Sequence, residues 1–171
     1  NESSQVEYDV TIPFIRMMAG PMDYTQGAMR NASKNNYRAV YNEAMSLGTR
    51  CRQLAEYVIF DAPLTMLCDS PSNYLQELEC TEFIADVPTV WDETIAINGK
   101  IGEFVTMARR SGDNWYLGSM TDWNERDMTI DLGFLPADEE GDDMRGKRND
   151  SRNLPYVLET LAGWKGVSPE E

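Results

Sequence analysis

The chain has 171 residues, 42% of them hydrophobic, which fits one average folded domain or two small ones and argues against disorder. Fifteen Lys and Arg face 29 Asp and Glu, a net charge of −14, so phosphate backbones and anionic membranes are repelled, and neutral substrates or cations fit better. There is no histidine, which excludes Ser-His-Asp triads, Cys-His dyads, His-ligated metals and His general bases, and leaves catalysis by this chain to carboxylates, Lys, Tyr or Cys.

The opening "NESSQVEYDV" has neither a basic region nor an apolar core and does not read as a signal peptide. No run approaches the length of about 18 apolar residues that a membrane span needs. "YDVTIPFIRMM" alternates through Val10, Ile12 and Phe14 and predicts a strand over 8–18, with Pro13 at an edge or end. "AGPMDYTQG" then reads as a loop punctuated by Gly20, Pro21 and Gly27.

From about Asn42 to Phe60 the period changes. Leu47, Cys51, Leu54, Ala55, Val58 and Ile59 fall on one helical face, with Arg50, Arg52, Gln53 and Glu56 mostly elsewhere on the helix. Ala62-Pro63 ends it, and a buried-looking "LTMLC" follows. Ser70 and Pro71 then offer an N-cap and first position for a second, short helix. "FIADVPTV" reads as another buried strand, so the order to this point is that of an α/β domain.

After Thr94 the helical period disappears. Asn98-Gly99 is a strong hairpin-turn signal between "TIAI" and "KIGEFVTMARR". "SGDN" is the next turn, and "WYLGSMT" and "RDMTIDLGFL" are further strands. In the last, Met128, Ile130, Leu132 and Phe134 give a dry face. Three or four antiparallel strands predict a small all-β module, with the domain boundary near 94–99.

The fold class expected is therefore α/β followed by all-β. Beyond Pro136 the chain turns polar. "ADEEGDD" reads as a solvated acidic loop, and it lacks the ligand spacing of a calcium-binding EF-hand loop. "LPYVLETLAGW" could form a short helix. Cys51, Cys68 and Cys80 have no C-x-x-C spacing and read as small buried hydrophobes, although one pair could bridge in an oxidising compartment.

Two places could carry chemistry. Asp23 and Tyr24 lie in a loop after the first predicted strand, and Trp91, Asp92 and Glu93 follow a later one. Loops at the carboxyl ends of strands build the sites of parallel α/β domains. An aromatic face beside carboxylates suits a sugar: the ring stacks on C–H faces and the carboxylates accept from hydroxyls. The structural alternative is that Trp91 packs between domains and Asp92-Glu93-Thr94 caps a turn. Adjacent residues of a strand point to opposite faces, so Asp92 and Glu93 do not form a glycosidase pair by themselves.

The blocks "TIPFIRMMAGPMDYTQGAM", "GTRCRQLAEYVIFDAPLTMLCDSPSNY" and "FIADVPTVWDETIAINGKIGEFVTMARRSGDNWYLGSMTDWNERDMTIDL", in that order, resemble glycoside hydrolase family 97 over residues 6 to about 135. The family comprises α-glucosidases and α-galactosidases with an N-terminal β-sandwich, a central (β/α)8 barrel, a C-terminal β-domain and a calcium-binding active site. The resemblance implies that residues 1–94 are the last part of the barrel and 95–135 the opening strands of an antiparallel, β-sandwich-like C-terminal domain. Residues 136–171 are then an acidic, divergent or disordered tail.

It also implies that the catalytic carboxylates and most calcium ligands lie upstream. Asp23, Tyr24, Trp91, Asp92 and Glu93 would contribute substrate contacts, and no catalytic residue is assigned in this chain. Glu7 matches a family Glu but lies outside the motif that carries the acid. The usual His after it is Tyr8, and the usual Pro of the loop is Gln26. The implied partners are an oligosaccharide and the missing N-terminal part, with no nucleic acid and no membrane. The implied location is the bacterial periplasm or exterior. By itself the chain is expected to be inactive and poorly stable. The rival reading is a non-catalytic carbohydrate-binding or structural β-rich module.

Overall fold

The computed structural model describes residues 5–43 and 45–135. The acidic run at 138–143, the possible helix after Leu154 and the whole segment 136–171 lie outside the described residues. Short helices α1 (Gln5–Asp9) and α2 (Ile12–Ile15) and a 3-10 turn (Met17–Ala19) open the chain. Strands β1 (Asn31–Ala32) and β2 (Ser46–Leu47), then helices α3 (Arg50–Ile59), α4 (Pro71–Gln76) and α5 (Leu78–Asp86), follow. Strands β3 (Glu93–Lys100), β4 (Phe104–Ser111) and β5 (Asn114–Thr121) complete it.

The strand expected over 8–18 is helical instead. Pro13 sits in the first turn of α2, where its missing N–H is not needed. Val6 and Val10, four apart, are both buried. The strand expected at "FIADVPTV" is also helix, as α5 runs to Asp86, and Phe83 and Val87 stack four residues apart on its buried side. Short apolar runs fit both periods, and packing against α3 decides for the helix.

Helix α3 begins where the sequence supplies a cap. The Thr49 hydroxyl accepts from the Arg52 N–H at 3.2 Å, and the helix ends at the extended Phe60 just before Ala62-Pro63. It is buried all round from Arg52 to Ile59. Leu54, Val58 and Ile59 meet the apolar cores, each such burial being worth about 1.5–3 kcal/mol. Arg52, Gln53 and Glu56, expected away from the apolar face, are buried as well. Helix α4 starts as the sequence indicates: Ser70 Oγ accepts from the Asn73 N–H at 3.3 Å, and Pro71 is first in the helix. "LTMLC" is not buried; Leu64, Met66 and Leu67 are exposed. Cys51, Cys68 and Cys80 are half-buried thiols.

Strand pairing in the first half is sparse and parallel. β1 pairs with β2, and an isolated parallel bridge joins Tyr24 to Thr65. The second half is a three-stranded antiparallel sheet in the order β3-β4-β5. The β3–β4 turn is not at Asn98-Gly99 but at 101–103, because a bulge between Ala96 and Asn98 carries the strand onward to Lys100. The β4–β5 turn at Gly112-Asp113 is where the sequence puts it.

One face of the sheet presents Val105, Arg109, Tyr116 and Met120 to the helical layer. The helix comes so close that a Cβ on Gly118 would lie 2.9 Å from Ile59 Cγ1, 3.0 Å from Val58 Cβ and 3.2 Å from the Ala55 carbonyl oxygen. The other face, with Ala108, Trp115 and Leu117, is covered by Ile130, Phe134 and Leu135. Residues 126–135 form no ladder strand, contrary to expectation, yet the predicted dry face is half-buried as it crosses the sheet.

Candidate functional site

The loop Tyr24–Met29 joins no regular element but is held at almost every step by side chains. The Tyr57 hydroxyl donates to the Gln26 carbonyl at 3.1 Å, and the Tyr74 hydroxyl donates to the Gly27 carbonyl at 2.9 Å. Gln53 Oε1 accepts from the N–H groups of Gly27 and Ala28, at 2.9 and 3.2 Å. Asp69 accepts from the Met29 N–H at 2.8 Å, and Arg50 donates to its carbonyl at 3.0 and 3.1 Å. Buried backbone groups need partners, and here α3, α4 and Asp69 just before α4 supply them.

Tyr24 starts the loop with its hydroxyl donating to Asp9 Oδ1 at 2.7 Å. Its ring meets Phe60 edge to face, 4.7 Å between centroids. Burial raises its phenol well above the usual range, with the neighbouring Glu56 charge adding to the effect. Asp9 is ion-paired with Arg52, which bonds Glu56 Oε1 at 2.7 Å; Gln53 Nε2 donates to the same oxygen at 3.3 Å. The bonds form a closed circuit from Tyr24 through Asp9, Arg52, Glu56 and Gln53 back to the loop at Gly27 and Ala28.

Two carboxylates share one guanidinium in this cluster. Burial pushes the Glu56 carboxyl up to about 7, against the opposing pull of Arg52. Burial likewise lowers Arg52, with Glu56 resisting. Glu56 Oε2 and Arg52 Nε have no hydrogen-bond partner.

Trp91 lies at the seam between the halves. Its ring stands edge to face on Tyr116, 5.4 Å between centroids, and the Arg109 guanidinium lies 5.5 Å from its centre. It lines both an open groove of about 590 Å³, with Pro13, Met17, Pro63, Met107 and Arg109, and a smaller pocket of about 130 Å³, with Tyr57, Phe60 and Thr65. Arg109 is buried, its Nε is unpartnered, and burial lowers its pKa while Asp61 raises it.

The five sequence-predicted residues do not share one site. Asp23 is exposed beside Tyr24 and lines neither cavity. Tyr24 reaches inward to the circuit. Asp92 Oδ2 accepts from the Gly112 N–H at 2.7 Å, and Glu93 Oε2 accepts from Arg110 Nε at 3.2 Å. Both carboxylates are exposed and are engaged at the β4–β5 turn. Gln53, Arg52 and Glu56 were missed as site-supporting residues. The available signal was three polar residues inside a helix whose turns also carry Leu54, Val58 and Ile59. Among the described residues no three His, Cys, Asp or Glu converge to hold a metal ion.

The described residues thus form a helical layer with short parallel bridges, packed through Trp91 and Tyr116 against a three-stranded antiparallel sheet. Residues 90–151 match the family described as "Glycosyl-hydrolase 97 C-terminal, oligomerisation". The chain is 64% identical over 131 residues, 77% of its length and 20% of the relative's, to a retaining alpha-galactosidase of Bacteroides thetaiotaomicron. It is 30% identical over 108 residues, 63% of its length and 15% of the relative's, to a probable retaining alpha-galactosidase of Streptomyces bingchenggensis. Its fold is similar to a glycoside hydrolase family 97 enzyme of Pseudoalteromonas sp. strain K8, solved with panose. There the TM-score is 0.66 and the identity 38%, covering 76% of this chain and 20% of that one. The chain belongs to glycoside hydrolase family 97, and it spans a fifth or less of the length of these relatives.

Proposed function

We propose that this chain is the C-terminal part of a glycosidase that removes terminal α-linked galactose from oligosaccharides, with α-linked glucose as the alternative sugar. The observation that carries the reading is the 64% identity over 131 residues to a retaining alpha-galactosidase. The relative solved with panose supports the glucose alternative.

On this reading residues 1–94 are the last elements of a (β/α)8 barrel, and 95–135 open the C-terminal β-domain. Residues 136–171 are its acidic tail. The parallel bridges Tyr24–Thr65 and β1–β2 support the first assignment, and the sheet starting at Glu93 supports the second. Retention requires two carboxylates about 5–5.5 Å apart. That pair and the calcium ligands are assigned upstream, with the enzyme in the bacterial periplasm or exterior, as in the family.

This chain contributes the surroundings of the reaction. Asp23 offers an exposed acceptor for sugar hydroxyls. Tyr24 and Trp91 offer aromatic surface, and the sheet braces the seam. Asp92 and Glu93 hold the rim on which Trp91 stands. The exposed Met18, Leu64, Leu67 and Val90 form apolar surface for the upstream part of the enzyme to cover.

The test is hydrolysis of aryl α-galactoside and aryl α-glucoside, with calcium and with chelator. The assays compare this chain with a version extended upstream to the relatives' length. Turnover only in the extended, calcium-loaded protein is expected, and the preferred substrate names the sugar. Turnover by the chain alone would overturn the assignment of the carboxylate pair upstream. In the extended protein Asp23→Ala lowers kcat/KM far more than it lowers Tm; a collapse in Tm with normal residual kinetics would make Asp23 structural.

A further inference from the structure

We propose that Gln53 is a positioning residue: from inside helix α3 it fixes the Gly27–Ala28 backbone and, through the closed hydrogen-bond circuit, the set of Asp23 and Tyr24 toward the sugar. The proposal rests on the reading of Asp23 and Tyr24 as substrate contacts.

The geometry is that of a clamp. One side-chain oxygen accepts from two successive backbone N–H groups, at 2.9 and 3.2 Å. The amide nitrogen of the same residue donates to Glu56 at 3.3 Å, which in turn is tied through Arg52 and Asp9 to the Tyr24 hydroxyl. The loop is thus gripped at both ends by one connected set of side chains. Asp9 and Glu56 are fully buried, and Arg52 and Gln53 are each 3% exposed. Buried hydrogen-bonded side chains lose little further freedom when substrate arrives, so the loop is set before binding rather than by it. Asp23, next to Tyr24, is exposed, which leaves its carboxylate available outside the clamp. The Gln53 side chain bonds only the loop amides and Glu56, which is the arrangement of a group that orients the loop.

The test is made in the protein extended to the relatives' length. Gln53→Met keeps the side chain's length and removes both its acceptor and its donor. Expected is a fall in kcat of about tenfold or more with a smaller change in KM, because a loosened loop still admits sugar but holds it off the reacting geometry. Amide exchange at Gly27 and Ala28 rises with it. Tyr24→Phe opens the circuit at its far end without touching those amides, and it too raises their exchange. Gln53→Met and Tyr24→Phe together then cost less in kcat than the sum of the two alone.

If Asp23→Ala and Tyr24→Phe leave the kinetics intact, the substrate-contact reading fails. If Asp23→Ala lowers kcat/KM while Gln53→Met leaves kcat at the parent value, that reading stands and the positioning role is overturned. Should Gln53→Met fail to fold, Tyr24→Phe decides alone: unchanged exchange at Gly27 and Ala28 would show that the circuit does not act as a unit.

Discussion

The two halves of this molecule are held together by different means. The sheet of β3, β4 and β5 is a continuous backbone ladder between strands adjacent in sequence, and both of its faces are covered. Among its described residues the helical half has only two-residue strands and a single isolated bridge. Side chains reaching over long sequence distances do the joining there: Tyr57 to Gln26, Tyr74 to Gly27, Asp69 to Met29. It also leaves its large apolar side chains exposed at Met18, Leu64 and Leu67. A ladder tolerates change in most side chains, because the backbone carries the bonds. A side-chain scaffold fails where a single partner is removed.

The comparison breaks most sharply at Arg52. Arg52→Met leaves Asp9 and Glu56 buried without their cation, and the expected loss is about 3–5 kcal/mol. Denaturant unfolding of the variant measures it, and a loss confined to a few tenths would show that the circuit contributes little to stability. Gly118→Val attacks the seam. Its side chain would be driven into Ile59, Val58 and the Ala55 carbonyl, costing about 3 kcal/mol. The result to look for is separation of the helical and sheet transitions, read by circular dichroism and tryptophan fluorescence.

A third probe is pH. Glu56 moves from 4.5 to about 7 on folding, so between those values the folded state keeps a proton that the unfolded chain has lost. Stability therefore falls as pH rises through this window and levels off above it. Glu56→Gln should flatten that slope; an unchanged slope would assign the titration elsewhere. The smallest effect belongs to the sheet. Glu93→Gln removes a pair between half-exposed side chains and should cost less than about 1 kcal/mol, as a small shift in Tm.

The same contrast explains what could be read in advance. Strands β4 and β5 and the turn between them were legible, since alternation and "SGDN" are local signals. So was the capped start of α4, whereas α3 begins at Arg50, after the Thr49 cap, and not near Asn42. The run Val10, Ile12, Phe14 was misread because alternation over a few residues cannot separate a strand from two short helical turns, and the deciding contacts lie in α3 and the sheet. The segment 126–135 kept its alternating burial and lost its ladder, because a side-chain pattern specifies which residues face inward but not which backbone they pair with. For the candidate site, Tyr24 and Trp91 stood out as aromatic residues near turns. Gln53 did not, since a glutamine within a helix carries no mark of the loop whose backbone it holds.

Asn98 and Gly99 looked like a turn, yet the bulge at Ala96–Asn98 keeps them in β3, with a Cβ on Gly99 lying only 2.7 Å from the Phe14 ring. Asn-Gly is also the dipeptide most prone to deamidation, in which the glycine nitrogen attacks the asparagine side-chain carbonyl and expels ammonia. In an extended strand that nitrogen is turned away from the attack. Pairing in β3 is therefore expected to slow deamidation at Asn98, a reaction that would add a negative charge at that position.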